Sequence, residues 1–183
     1  SSTWPVEGGC AERVRAARTE RARHIGVYSV DGAFLGFPDM PAAEARALGL
    51  RIKEAVLRAT GIPVSLGMGA TKVLCKLANE RAKSDRASGG VLVVPYDDAG
   101  REEFLRGVDS EDVWGVGPGL AARLRAHRIV SALDLAQADP AFVRRVAGVV
   151  GERLALELRG ISCHDIVEDA GPRQSVMVSR SFG

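Results

Sequence analysis

Between two short runs of alternating apolar residues, Val27-Tyr28-Ser29-Val30 and Ala33-Phe34-Leu35, stands the pair Asp31-Gly32. No other local signal constrains the fold as tightly. Glycine accepts the positive φ that a two-residue hairpin turn demands, and the flanking alternation is that of strands with one face on a core. The chain therefore contains an antiparallel pair, strands 25–30 and 33–37, on which the rest must pack. A carboxylate at such a tip admits two readings. Asp31 is a turn former, a common use of Asp-Gly, or it is an acid held at the tip for chemistry.

Helix and strand signals alternate after the hairpin. Residues 42–60 carry Ala45, Leu48, Ile52, Ala55, Val56 and Ala59 at helical spacing, and Gly61 with Pro63 ends the run. "PVSLGMG" reads as a strand, "TKVLCKLANERAK" as a helix, "GVLVVPY" as a buried strand and "DDAGREEFLRG" as a short helix. The order ββαβαβα predicts an α+β layer with helices packed on a small sheet. An arginine-rich helix, Ala11 to Arg23, precedes it. From about Gly107 strand signals vanish and short helices separated by Gly and Pro take over, which places a domain boundary near 106–110. The closing "GPRQSVMVSRSFG" reads as extended, in the manner of a linker.

Composition removes several classes of function. With 46% hydrophobic and 26% charged residues in 183, the chain can bury a core and is not of the disordered type. A net charge of +2 supplies no overall field for nucleic acid, so any such binding must come from local patches. No apolar run reaches the length of a membrane span and the N-terminus lacks a signal-peptide core, so the expectation is a cytoplasmic chain with no membrane partner. Cys10, Cys75 and Cys163 are scattered and fit no metal-ligand spacing.

Two further stretches bear on chemistry. "SLGMGATKVLCKLANERAK" is a glycine-rich turn feeding a helix with Lys72 in its first turn. It is not a P-loop, because Val73 follows the lysine where Ser or Thr would hold Mg²⁺. A lysine at the positive end of a helix is disfavoured by its own helix, and a bound phosphate would relieve that conflict. Lys76 and Lys83 lie near the same face, so a solvated basic face is the other reading. "SEDVWGVGPGLAARLRAHRI" has the layout of a helix-hairpin-helix. Gly115, Gly117 and Gly119 let the backbone turn and approach a phosphate closely, and Pro118 presets the next helix. Arg123, Arg125 and Arg128 follow, with no acid between Trp114 and Val130. Such contacts grip the sugar-phosphate backbone without reading sequence. The competing reading is a hairpin that only packs, on Val116, Leu120, Leu124 and Ile129.

These stretches together resemble the Y-family translesion DNA polymerases. "VYSVDGAFL" is similar to their palm hairpin, "GIPVSLGMGATKVLCKLANERAK" to the strand and helix that follow, and "VWGVGPGLAARL" to their thumb. "ELRGISC" and "PRQSVMVSRSFG" resemble the UmuC branch. The resemblance implies an incomplete palm over residues 25–106 and a small all-α thumb with a helix-hairpin-helix over 107–170. Residues 1–24 then correspond to a remnant helix of the fingers–palm junction, and 171–183 to a linker toward a little-finger domain not in this sequence. Also implied are a role in DNA repair and the SOS response, binding of damaged DNA and of primer-template, and Mg²⁺ as cofactor. A UmuD-type accessory subunit, a recombinase filament and a sliding clamp are the partners it implies.

Site residues carry over only where they match. Asp31 matches the hairpin Asp that binds metal, whereas Gly32 stands where the family has Glu; Lys72 matches the lysine of the incoming triphosphate. Gly115, Gly117, Gly119 and Arg123 match the part that holds DNA. Two-metal phosphoryl transfer keeps two divalent ions about 3.5–4 Å apart, and their repulsion is on the order of 18 kcal/mol at an effective dielectric of about 20. Glycine supplies neither charge nor ligand oxygen, and the strand with the family's first metal-binding Asp is not in this sequence. The expectation is impaired Mg²⁺ binding and no polymerisation by this chain alone. A polymerase by descent, a non-catalytic DNA-binding scaffold and a decayed fragment without a role all stay open.

Overall fold

The computed structural model of the chain describes residues 26–30, 33–37 and 40–163. Expectations for Ala11–Arg23, for Asp31 and Gly32, and for residues 171–183 lie outside the described residues. Strands β1 (Gly26–Val30) and β2 (Ala33–Phe37) pair antiparallel with Val30 opposite Ala33, the register of a two-residue connection. Helix α1 (Ala42–Thr60) follows, then β3 (Leu66–Gly69), α2 (Lys72–Ser84), β4 (Val91–Val93) and α3 (Asp98–Leu105). This is the ββαβαβα order read from the sequence. The sheet order is β2-β1-β3-β4, with β3 antiparallel to β1 and parallel to β4, so α2 is the crossover of a βαβ unit.

The sequence of β3, Leu66-Gly67-Met68-Gly69, explains how two layers close on one strand. Side chains alternate across a strand. Leu66 and Met68 point to one face, where they meet Phe37, Ala45 and Val91 and the inner side of α1. Gly67 and Gly69 point to the other, and a Cβ on Gly67 would run into the backbone of Cys75 and Asn79 in α2. These glycines bring the helix backbone down onto the sheet. They are packing residues, which corrects the reading of this stretch as a glycine-rich turn. Helix α1 is tied to the far edge by cations, Arg46 donating to the Val91 carbonyl at 2.7 Å and Lys53 to that of Gly89 at 2.7 Å.

Beyond Gly107 the described chain is helical: a 3₁₀ turn at Ser110–Asp112, α4 (Pro118–Ala126), α5 (Ala132–Gln137) and α6 (Pro140–Leu158). Backbone bonds from Ser110 N–H to Val130 O and from Ala132 N–H to Val108 O, each 2.8 Å, clasp the two ends of this segment. One apolar cluster runs from Val73, Leu74 and Leu77 of α2 through Leu105 to Leu124, Leu135 and Leu158. The sheet layer and the helical segment therefore share a core. Among the described residues no helix is long and apolar enough to cross a membrane.

Candidate functional site

Lys72 is the first residue of α2, and Thr71 before it caps the helix by accepting the Leu74 N–H at 3.3 Å. The sequence suggested free N–H groups here for an anion. The structure corrects that. Val73 N–H is taken by the carboxylate of Glu157, at 3.2 Å from Oε2, and Leu74 N–H by Thr71, so two of the first donors are spent inside the protein. The Lys72 side chain starts from this same helix end.

That side chain is not on a solvated face either. Lys72 is only 7% exposed, and its Nζ lies 5.3 Å from the centroid of the Phe34 ring. Lys76, one turn on, places its Nζ 5.5 Å from the same ring and 5.9 Å from that of Trp114. Phe34 and Trp114 meet with centroids 5.6 Å apart, tilted by 47°. Ammonium groups at such distances are held by the negative faces of the rings. Trp114 is 44% exposed and directly precedes the glycine hairpin. Strand β2, helix α2 and the hairpin thus converge on one cluster of two lysines and two aromatic rings.

The hairpin glycines have different reasons to be glycine. Gly115 has φ +98°, and a Cβ there would press on Leu154 at 3.2 Å. Gly117 is the N-cap of α4 in extended backbone (φ −85°) and Gly119 lies in the first turn behind Pro118; a Cβ on either meets nothing within 4 Å. Neither conformation nor packing requires glycine at 117 or 119. Arg123 is exposed on α4, while Arg125 is held by Asp109 and Glu111. The hairpin also packs, as Leu120, Leu124 and Ile129 are buried.

Asp31 and Gly32 lie outside the described residues, so the metal-binding expectation has no described geometry. Among the described residues no group of three His, Cys, Asp or Glu side chains could hold a metal ion, so these residues do not fit a divalent pair. Sequence reasoning missed Phe34 and Trp114 as members of the site, and it missed Glu157. The signal for Glu157 was present: one acid inside the apolar run "LALEL".

This fold, a small mixed sheet with a crossover helix and a helical segment sharing its core, is that of Y-family DNA polymerases. A solved Y-family DNA polymerase chimera superposes on 82% of this chain and 42% of its own, with a TM-score of 0.51 at 18% identity. The model of the impB/mucB/samB family matches residues 11–80. Protein SamB of Salmonella typhimurium is 35% identical over 185 aligned residues, covering 100% of this chain and 44% of SamB. Protein UmuC of the same species is 35% identical over the same shares. The chain is similar to the impB/mucB/samB family over residues 11–80, and it spans less than half the length of these relatives.

Proposed function

We propose that this chain is the palm-and-thumb portion of a UmuC-type translesion polymerase of DNA repair and the SOS response, with a helix-hairpin-helix that grips the sugar-phosphate backbone. The observation that carries the reading is the empty space at Gly117 and Gly119, beside an exposed Arg123. A phosphate fits against backbone that no Cβ shields, and the guanidinium meets its charge. Lys72, held against Phe34 at the mouth of the same cluster, contacts the triphosphate of an incoming nucleotide. Asp31 would be the hairpin carboxylate toward Mg²⁺, and that ion would supply charge stabilisation in phosphoryl transfer. With Gly32 beside it the chain binds DNA and does not extend primers.

Fluorescence anisotropy with a labelled primer-template at several salt concentrations tests the grip. Wild-type chain binds without sequence preference and weakens steeply with salt. Replacing Arg123 by Ala lowers the log–log salt slope by about 1, and Val at Gly117 and Gly119 abolishes binding. Unchanged binding by both variants overturns the assignment, and a primer-extension assay with Mg²⁺ decides the second part, nucleotide incorporation being the contrary result.

A further inference from the structure

Glu157 is a carboxylate with no solvent exposure at all, in a helix whose neighbouring side chains Leu154, Ala155, Leu156 and Leu158 are buried. Burying a charge is costly unless its oxygens are satisfied. Here both are: Oε2 accepts from Val73 N–H at 3.2 Å, and Oε1 from Cys163 N–H at 2.7 Å. Its main-chain carbonyl accepts from Thr71 Oγ1 at 2.8 Å, so one residue holds Thr71 and Val73, the two neighbours of Lys72. Thr71 already caps α2 through its own side chain, and capping alone does not call for a buried acid 84 residues away.

The same helix also sets the hairpin. Leu154 is the residue that faces Gly115, and Glu157 lies three positions later, on the same face of α6. One turn of α6 thus touches both candidate ligand-binding elements, the start of α2 and the glycine hairpin. We propose that Glu157 is a positioning residue, which fixes Lys72 against the triphosphate at a set distance from the Gly115–Gly119 hairpin. The proposal rests on the reading of Lys72 as the triphosphate contact. Its geometry demands two acceptor oxygens: glutamine has one oxygen and one NH₂, and so must present a donor to one of the two N–H groups.

Dialysis of labelled dATP with Mg²⁺ in the presence of saturating primer-template, on wild type, Lys72→Ala, Glu157→Gln and the double variant, tests it. Glu157→Gln weakens dATP binding by about tenfold or more, the scale of a lost hydrogen bond to a charged group. DNA affinity stays, and the double variant binds dATP no worse than Lys72→Ala alone. If Lys72→Ala weakens dATP and Glu157→Gln does not, or if the two losses add, the positioning role is overturned and the reading of Lys72 survives. If wild type binds no dATP, or Lys72→Ala changes nothing, that reading falls and this one with it. Should Glu157→Gln fail to fold, Glu157→Asp keeps the charge and shortens the reach: loss of dATP binding with DNA binding intact supports the role, and full dATP binding refutes it.

Discussion

Gly115 faces Leu154 so closely that a Cβ on the glycine would stand 3.2 Å from Leu154 Cδ2, with the backbone at φ +98°. Two penalties coincide there, one from a conformation that L-residues avoid and one from a packed neighbour. Gly115→Ala therefore lowers stability by about 1–2 kcal/mol, read as a shift in urea midpoint. Gly117→Ala and Gly119→Ala meet no neighbour, and Gly119→Ala, inside α4, raises the midpoint slightly because alanine is the better helix former. Stability and DNA affinity thus separate along five residues: only the first glycine is needed for the fold, and the other two move binding.

At Gly67 the obstacle is main chain. A Cβ would run into the Cys75 carbonyl oxygen and the Asn79 nitrogen, neither of which can move without breaking α2. Gly67→Ala costs about 3 kcal/mol. Gly61→Ala touches nothing and disturbs only a C-cap at φ +70°, so it costs less, about 1 kcal/mol. Circular dichroism melts of the two variants give the ranking, and a smaller loss at Gly67 would contradict the close approach.

Local chemistry made much of this fold legible. The Asp-Gly pair and its alternating flanks gave β1 and β2, and Gly61 in the left-handed region ends α1 at Thr60 as its sequence announced. "PVSLGMG" was read too long, because pairing begins only at Leu66; "GVLVVPY" pairs only over Val91–Val93. What no local pattern could reveal were contacts closed by distant parts of the chain. The alternation in β3 is visible as letters, yet the meaning of its glycines needs α2 lying across them. Likewise Lys72 looked exposed at a helix end until Phe34 and the shared core enclosed it. In the sequence Trp114 is only the residue before the glycine hairpin, and the fold alone sets its ring against Phe34 of β2.

Helix α5 begins with a reciprocal cap. Ser131 Oγ accepts from Asp134 N–H at 3.0 Å, and Asp134 Oδ2 accepts from Ser131 N–H at 2.9 Å and Val130 N–H at 3.1 Å. The Ser131 backbone N–H is the largest cause holding the Asp134 carboxyl below its usual range. A carboxylate with a lowered folded pKa contributes stability above its unfolded value of about 3.9, and that contribution disappears as the pH falls through the folded value. Ser131→Ala costs about 1 kcal/mol at neutral pH. Asp134→Asn keeps an acceptor and loses the charge, so its urea midpoint lies below wild type at neutral pH. The two converge as the pH falls from about 4 through the lowered folded value. A gap that stays constant across that range would exclude the carboxylate as the cause.

Cys75 is fully buried in α2, its sulfur 3.8 Å from the Gly69 carbonyl. Burial pushes the thiol far above its ordinary range, and the negative charge of Glu157 adds to the rise. Thiolate is the reactive form, so the folded chain protects this cysteine twice, by exclusion and by protonation. Iodoacetamide modifies Cys75 only through opening, at a rate that rises with urea in step with unfolding, as peptide mass spectrometry after timed quenching would record. Linkage gives the second half of the prediction. An unfolded thiol ionises above about 8.5 while the folded one does not, so the unfolded chain gains on the folded one as the pH rises past that value. Cys75→Ala removes this loss at the expense of a small cavity: its midpoint is lower than wild type at neutral pH, and the gap narrows in alkali. Fast labelling of the native chain at neutral pH would mean that α2 is not seated on Gly67 and Gly69 as described.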